Sequence, residues 1–229
     1  ERVKLGTSIL VLPQRNPVLA AKQIAAIDAA SGGRMIVGVG VGWNETEYKN
    51  LNANFKNRGK RLDEDIALLR TLWANEDATF HGKYTQFERA VFAPLPAQKN
   101  IPIWIGGNAA PAWERAAKLG DGWHSTGAFP QQIAQGVKRI NEFKPARQIT
   151  ISARLNIDLN PNTPSTYEYN GKPRQRVAGT DDNVRAILRE YAQAGLEYAA
   201  LIFPMNDAAV MLTQMERFLK DIAPEFQKP

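Results

Sequence analysis

Two segments of this chain, Met35 to Val41 and Ile101 to Gly107, are apolar from end to end and broken only by glycine and proline. A strand without polar alternation has no wet face, and sheets covered on both faces are mostly parallel, because the helical crossovers that return the chain lie on those faces. Val3 to Leu12 reads as a further buried strand ending at Pro13, Gly122 to Ser125 as a short one, Ile149 to Leu159 as an alternating one and Tyr198 to Phe203 as the last.

Helical patterns separate them. Asn16 and Pro17 open a helix with Val18, Leu19, Ile24 and Ile27 on its buried side, and Ser31-Gly32-Gly33 stops it. Leu62, Ile66, Leu69, Leu72 and Trp73 recur at helical spacing from about Gly59 to Trp73. Asn108 is expected to cap a helix from Ala109 to Leu119, ended by a left-handed Gly120. Helices follow at Ile133 to Phe143, from Thr180 to Gly195, and at Ala208 to Ile222, the last burying Val210, Met211, Met215, Phe218 and Leu219. Residues 78–94 read as an inserted hairpin. Residues 160–179, rich in Pro, Asn, Thr and Gly, read as a long unpatterned loop or mobile lid.

Six strands, each followed by a helix, fit an open doubly wound sheet or most of a (β/α)8 barrel. The doubly wound fold places its phosphate-binding glycines between the first strand and a helix. Here Gly38-Val39-Gly40-Val41-Gly42 is followed by Trp43-Asn44-Glu45-Thr46-Glu47 without a helix pattern, so that fingerprint fails in context and the barrel is preferred.

The net charge of +6 is dispersed, with no run of five Lys or Arg, which argues against nucleic acid and mildly favours anionic small molecules. The chain has no cysteine and only two histidines, His81 and His124, so thiolate chemistry is excluded and a clustered metal site is not expected. No stretch is long and apolar enough for a membrane span, and a cytoplasmic location is the default expectation.

Leu5-Gly6-Thr7-Ser8-Ile9-Leu10, Ser31-Gly32-Gly33-Arg34, Gly38 to Trp43, Ile103 to Asn108 and Gly120-Asp121-Gly122-Trp123 occur in the order and approximate spacing of one family. The chain resembles the luciferase-like monooxygenases, especially the branch of probable coenzyme F420-dependent oxidoreductases. The resemblance implies one luciferase-like (β/α)8 TIM barrel domain over 1–229, corresponding to units three to eight, with the first two βα units not represented and insertions at about 78–94 and 160–179.

It further implies a cis peptide between Ser8 and Ile9 and a cofactor held by Ser8, Ile9, Gly40, Val41, Gly42, Gly106, Gly107, Asn108 and Thr126. Active sites of such barrels lie at the carboxyl ends of the strands, which places Trp43 and Trp123 beside a substrate pocket. Gly106-Gly107-Asn108 runs into a helix N-terminus suited to phosphate. Hydride transfer depends on the cofactor's own electronics, so no catalytic residue is assigned; His124 and Glu47 are candidates, with Glu45 a third. Arg58 and Arg61 are either contacts for an anionic cofactor tail or ordinary surface charge. The expected cofactor is coenzyme F420, with FMN the alternative, and the expected partners are a small-molecule substrate and a second copy in a homodimer. FMN-dependent monooxygenation and a shortened flavoprotein without turnover are the competing functions.

Overall fold

The structure, a computed structural model, describes residues 3–227. In chain order its elements are β1 (Leu5–Gly6), β2 (Leu10–Val11), α1 (Pro17–Ser31), β3 (Met35–Gly40), α2 (Glu45–Asn50), α3 (Arg58–Ala74), β4 (Asp77–His81) and β5 (Gln86–Val91). There follow β6 (Ile103–Gly106), α4 (Ala110–Leu119), β7 (Gly122–Thr126), α5 (Pro130–Glu142), β8 (Thr150–Asp158), β9 (Thr166–Tyr169), β10 (Lys172–Ala178), α6 (Asp181–Gln193), β11 (Tyr198–Ile202) and α7 (Ala208–Arg217).

Every contact between successive barrel strands is parallel. β1 and β2 pair with β3, β3 with β6, β6 with β7, β7 with β8 and β8 with β11. The sheet curls with its helices outside, and among the described residues β1 and β11 stand at its two edges without pairing with each other. Leu5 of β1 and Tyr198 of β11 nevertheless line one cavity on the concave side. Within the described residues this is a partial (β/α) barrel.

The convex core explains the apolar runs. Val37, Val39, Ile103, Ile105 and Trp123 are fully buried between the sheet and the helices, together with Leu62, Ile66, Leu69 and Leu72 of α3. Burying each such aliphatic side chain contributes about 1.5–3 kcal/mol relative to exposure. Asp28, wholly buried, ties the amino-terminal end of the barrel together: its carboxylate accepts from the main-chain N–H of Met35 (3.2 Å) and Gln98 (2.9 Å) and from the Gln98 amide (2.6 Å). Asp121 does the same one strand further on, accepting from Ile103 N (2.9 Å) and Arg70 Nη2 (2.8 Å).

Several expectations are corrected. The single buried strand from Val3 to Leu12 is two short pieces interrupted at Ser8-Ile9, and Leu5 and Gly6 are exposed because β1 is an edge. On α1 the buried stripe is Ala20, Ala21, Ile24, Ala25 and Asp28, while Leu19 and Ile27 are exposed; small residues let the helix approach closely enough for Trp73 Nε1 to donate to the Ala21 carbonyl (3.0 Å). Gly120 ends α4 in extended rather than left-handed backbone, and its bare Cα is required by Ile105, whose Cγ1 would lie 2.7 Å from a Cβ there.

The long segment after β8 is no loop. β9 and β10 form an antiparallel hairpin, and β10 then joins β8 in parallel, pairing Arg176 with Asn156. Main-chain hydrogen bonding gives this pairing, so it leaves no apolar periodicity to read. The insert at 78–94 is the antiparallel hairpin β4–β5. α7 buries none of its own residues, with Val210 and Leu219 exposed and Phe218 buried just beyond its end; Gln214 and Arg217 tie it to Asp158 and Leu159 at the end of β8.

Candidate active site

The strand pleat sorts side chains between the two faces of the sheet. On β7, Trp123 points outward against Trp113 of α4, while His124 points into the concave side. On β8 the apolar residues Ile151, Ala153, Leu155 and Ile157 are buried outward, which gives the concave side Ser152, Arg154, Asn156 and Asp158. Trp104 of β6 stacks over His124 (ring centroids 6.0 Å apart) and meets Tyr198 of β11 edge-on at 5.3 Å. These rings and Ser8 line a cavity of about 160 Å³.

The Ser8–Ile9 peptide is cis. Ile9 turns its side chain into a niche formed by three glycines. A Cβ on Gly40 would stand 2.5 Å from Ile9 Cδ1 and one on Gly106 2.9 Å from Ile9 Cγ2, while one on Gly38 would collide with the Thr7 carbonyl. The glycines of β3 and β6 therefore admit part of the protein itself.

Ser8 is held at both ends. Its carbonyl accepts from Arg154 Nη1 at 3.3 Å, and its Oγ lies 2.7 Å from His124 Nε2. Burial pushes the His124 imidazole down to about 4, and Arg154 adds to the shift, so the ring is neutral near pH 7.

Beyond the strand tips, α4 starts without a side-chain cap. Its N-cap is Ala109, and Asn108, expected to cap it, instead donates from Nδ2 to the Thr126 carbonyl (3.0 Å) and accepts from Ser125 Oγ (2.9 Å). The exposed turn at Gly107, with φ +129°, thus leads into the start of α4, where Pro111 has no N–H, Ala112 N donates to the Ala109 carbonyl (2.8 Å) and the Ala110 N–H is left without a side-chain cap. Arg174 of β10 reaches the same place, donating to the Thr126 carbonyl at 2.9 Å.

A family model described as luciferase-like monooxygenase matches residues 1–161. The chain belongs to the luciferase-like monooxygenase family. It is 33% identical over 160 residues to the FMNH(2)-dependent dimethylsulfone monooxygenase of Pseudomonas putida, covering 68% of this chain and 44% of that protein. It is 29% identical over 176 residues to the F420-dependent glucose-6-phosphate dehydrogenase of Intrasporangium calvum, covering 70% of this chain and 52% of that one. The chain spans about half the length of the curated relatives it matches. Its fold is that of the coenzyme F420 dependent tetrahydromethanopterin reductase from Methanopyrus kandleri, with a TM-score of 0.82, 17% identity and coverage of 98% of this chain and 83% of that one.

Within this luciferase-like frame, Ser8, Ile9, Gly40, Gly106, Gly107, Asn108 and Thr126 gather at the carboxyl ends of the strands. Val41 and Gly42 are half-buried beside them. Tyr48 donates to the Val41 carbonyl at 2.6 Å, and Gly42, at φ +65°, lies against Val11. Trp43 is 66% exposed. Trp123 is corrected: it is wholly buried on the convex side, donates from Nε1 to the Gly107 carbonyl (2.6 Å), and has no access to a substrate. Glu47 lies exposed on α2, and no hydrogen bond joins it to His124 among the described residues. Arg58 and Arg61 are half-buried and engaged locally, over the Phe55 ring (3.6 Å) and the Tyr84 ring (5.5 Å).

Sequence reasoning missed Ser152, Arg154 and Arg174. The signal for the first two was present: in a sheet expected to be apolar on both faces, β8 alternates strictly with polar residues.

Proposed function

We propose that this chain carries the greater part of a redox site that binds coenzyme F420 and transfers hydride to or from a small organic substrate. The observation that carries the proposal is the uncapped, exposed start of α4 beside Arg174, at the same end of the sheet as Ser8. The positive end of the helix dipole, the free Ala110 N–H and a guanidinium favour a phosphate there. Coenzyme F420 has an extended anionic tail as well, and the neighbouring strands β8 and β10 carry Arg154, Arg174 and Arg176, Arg176 lying over the Tyr167 ring at 5.0 Å.

When bound, the deazaflavin supplies the hydride chemistry itself. The protein's part is to hold and to exclude. Ile9, locked in its glycine niche, presents a rigid apolar surface. Trp104, Tyr198 and the neutral His124 give the cavity wall beside Ser8 flat, uncharged rings, and Arg174 with the start of α4 anchors the anionic end. The family relationship to an FMNH(2)-dependent enzyme keeps FMN-dependent monooxygenation as the second reading.

Separate titrations with coenzyme F420 and FMN, followed by absorbance and fluorescence, test this. Coenzyme F420 is expected to bind more tightly, and Arg174→Ala to weaken it at least about fivefold, in line with loss of one charge-assisted contact. Binding of FMN alone selects the second reading, and binding of neither removes both.

A further inference from the structure

The hydrogen bonds around His124 fix more than its position. Ser152 Oγ lies 2.9 Å from the Trp123 carbonyl, which can only accept, so the single Ser152 proton is committed there. His124 Nδ1 lies 2.9 Å from the same Ser152 oxygen and must therefore donate to it. In the neutral ring the other nitrogen, Nε2, is then bare and accepts. Its partner at 2.7 Å is Ser8 Oγ, which must give up its own proton to make that bond.

We propose that Ser8 faces the concave cavity as a hydrogen-bond acceptor only, and that this point of the site recognises an uncharged ligand group bearing N–H or O–H, such as a heterocyclic imide. His124 and Ser152 are positioning residues that act on the ligand through Ser8. A carboxylate or phosphate oxygen would meet lone pairs at Ser8 and is rejected there, even though Arg154 lies close by. The separation of roles is physical: the anion is read at the α4 N-terminus, the donor at Ser8. The cavity of about 160 Å³ is well below the ~300–1,000 Å³ of a whole-ligand pocket, so it takes one edge of a larger molecule.

The chain of donors holds because the ring stays neutral. His124 is 3% exposed. The groups facing it are Trp104 of β6, Ser152 and Arg154 of β8 and Ser8. Lys4 and Tyr198 complete the cavity wall. No carboxylate is among them, and the nearby cation disfavours a second proton. Which ligand supplies the donor rests on the redox site proposed above; the polarity of the hydroxyl does not.

Nitrogen-15 NMR of the histidine ring in the unliganded protein tests the polarity directly. Nδ1 is expected to carry the proton and Nε2 the lone pair, unchanged from pH 8 to pH 5.5. An Nε2–H tautomer, or titration near pH 6.5, overturns the inference. Ser152→Ala should redistribute the proton between the two nitrogens, whereas Ser8→Ala should leave it on Nδ1; the reverse pattern is equally fatal. Recognition is tested with uracil against 1,3-dimethyluracil, which has the same ring without N–H. Uracil alone is expected to move the His124 Nε2 resonance, by strengthening the Ser8 bond to it. A response to both compounds or to neither overturns the recognition. Failure to bind coenzyme F420 and FMN, with the tautomer as stated, would instead count against the redox reading alone.

Discussion

Gly40 faces Ile9 so closely that a single added methyl would lie 2.5 Å from Ile9 Cδ1. Residues 31 positions apart are thereby fitted as a knob and its niche, and the main chain at Ser8 is set by what β3 and β6 leave out. Gly40→Ala is expected to destabilise the protein by about 1–3 kcal/mol through overpacking. Adding Ile9→Ala to that variant should recover part of the loss, and a thermal-denaturation double-mutant cycle measures the coupling. Additive losses would show that the two residues do not share the space.

Asp65 is wholly buried on α3, neither of its carboxyl oxygens has a hydrogen-bond partner among the described residues, and burial pushes its pKa from 3.8 up to about 7. Nearby Arg61 opposes the shift and Glu64 adds to it. The folded protein holds this proton after the unfolded chain has lost it. The Asp65 contribution to stability is therefore complete below pH 3.8 and is lost as pH rises toward 7, by an amount on the order of 4 kcal/mol. Asp65→Asn should remove that slope and be more stable than the parent at pH 8. Urea unfolding at pH 5 and pH 8 gives the comparison, and equal pH slopes for the two proteins would refute it.

His124 carries the opposite dependence. Its folded pKa, about 4 against 6.5, makes its contribution complete above pH 6.5 and lost as pH falls toward 4. The loss approaches about 3 kcal/mol at the bottom of that window. His124→Gln should flatten this part of the acid limb, leaving the carboxylates' contribution below it. An unchanged profile between pH 6.5 and pH 4.5 would mean that the ring can be protonated in place.

Asp28 offers a test remote from the site. Its carboxylate holds two main-chain amides and one side-chain amide where α1, β3 and the segment before β6 meet. Asp28→Ala leaves the buried Met35 amide and the half-buried Gln98 main-chain amide without their acceptor, Gln98 Nε2 keeping only the Met35 carbonyl (2.8 Å), and is expected to cost about 3–5 kcal/mol. Asp28→Asn, which keeps one acceptor oxygen, should cost roughly half as much. Chemical denaturation of both variants reads the difference, with ligand binding expected to survive in Asp28→Asn.

The barrel class was legible because apolar runs such as Ile101 to Ile105 and the helical spacing of Leu62 to Trp73 are local signals, and right-handed parallel pairing follows from them. The hairpin of β9 and β10 was not, since its joining to β8 is made by main-chain hydrogen bonds that any residues supply. The site was legible as a list of strand tips, but Trp123 and His124 are adjacent in sequence and alternation alone leaves open which of them faces inward.

By itself, the sequence determined that the chain forms a parallel sheet wrapped in helices, that its glycine turns lie at one end, and that it belongs among the luciferase-like proteins. Only the tertiary structure decided what the glycines admit, which is Ile9, and what the hydroxyl oxygen of Ser8 lies against, which is His124. Period and composition are properties of neighbours along the chain. Close approach and hydrogen-bond direction join Ser8, His124 and Ser152, far apart in sequence, and so exist only once the sheet has curled.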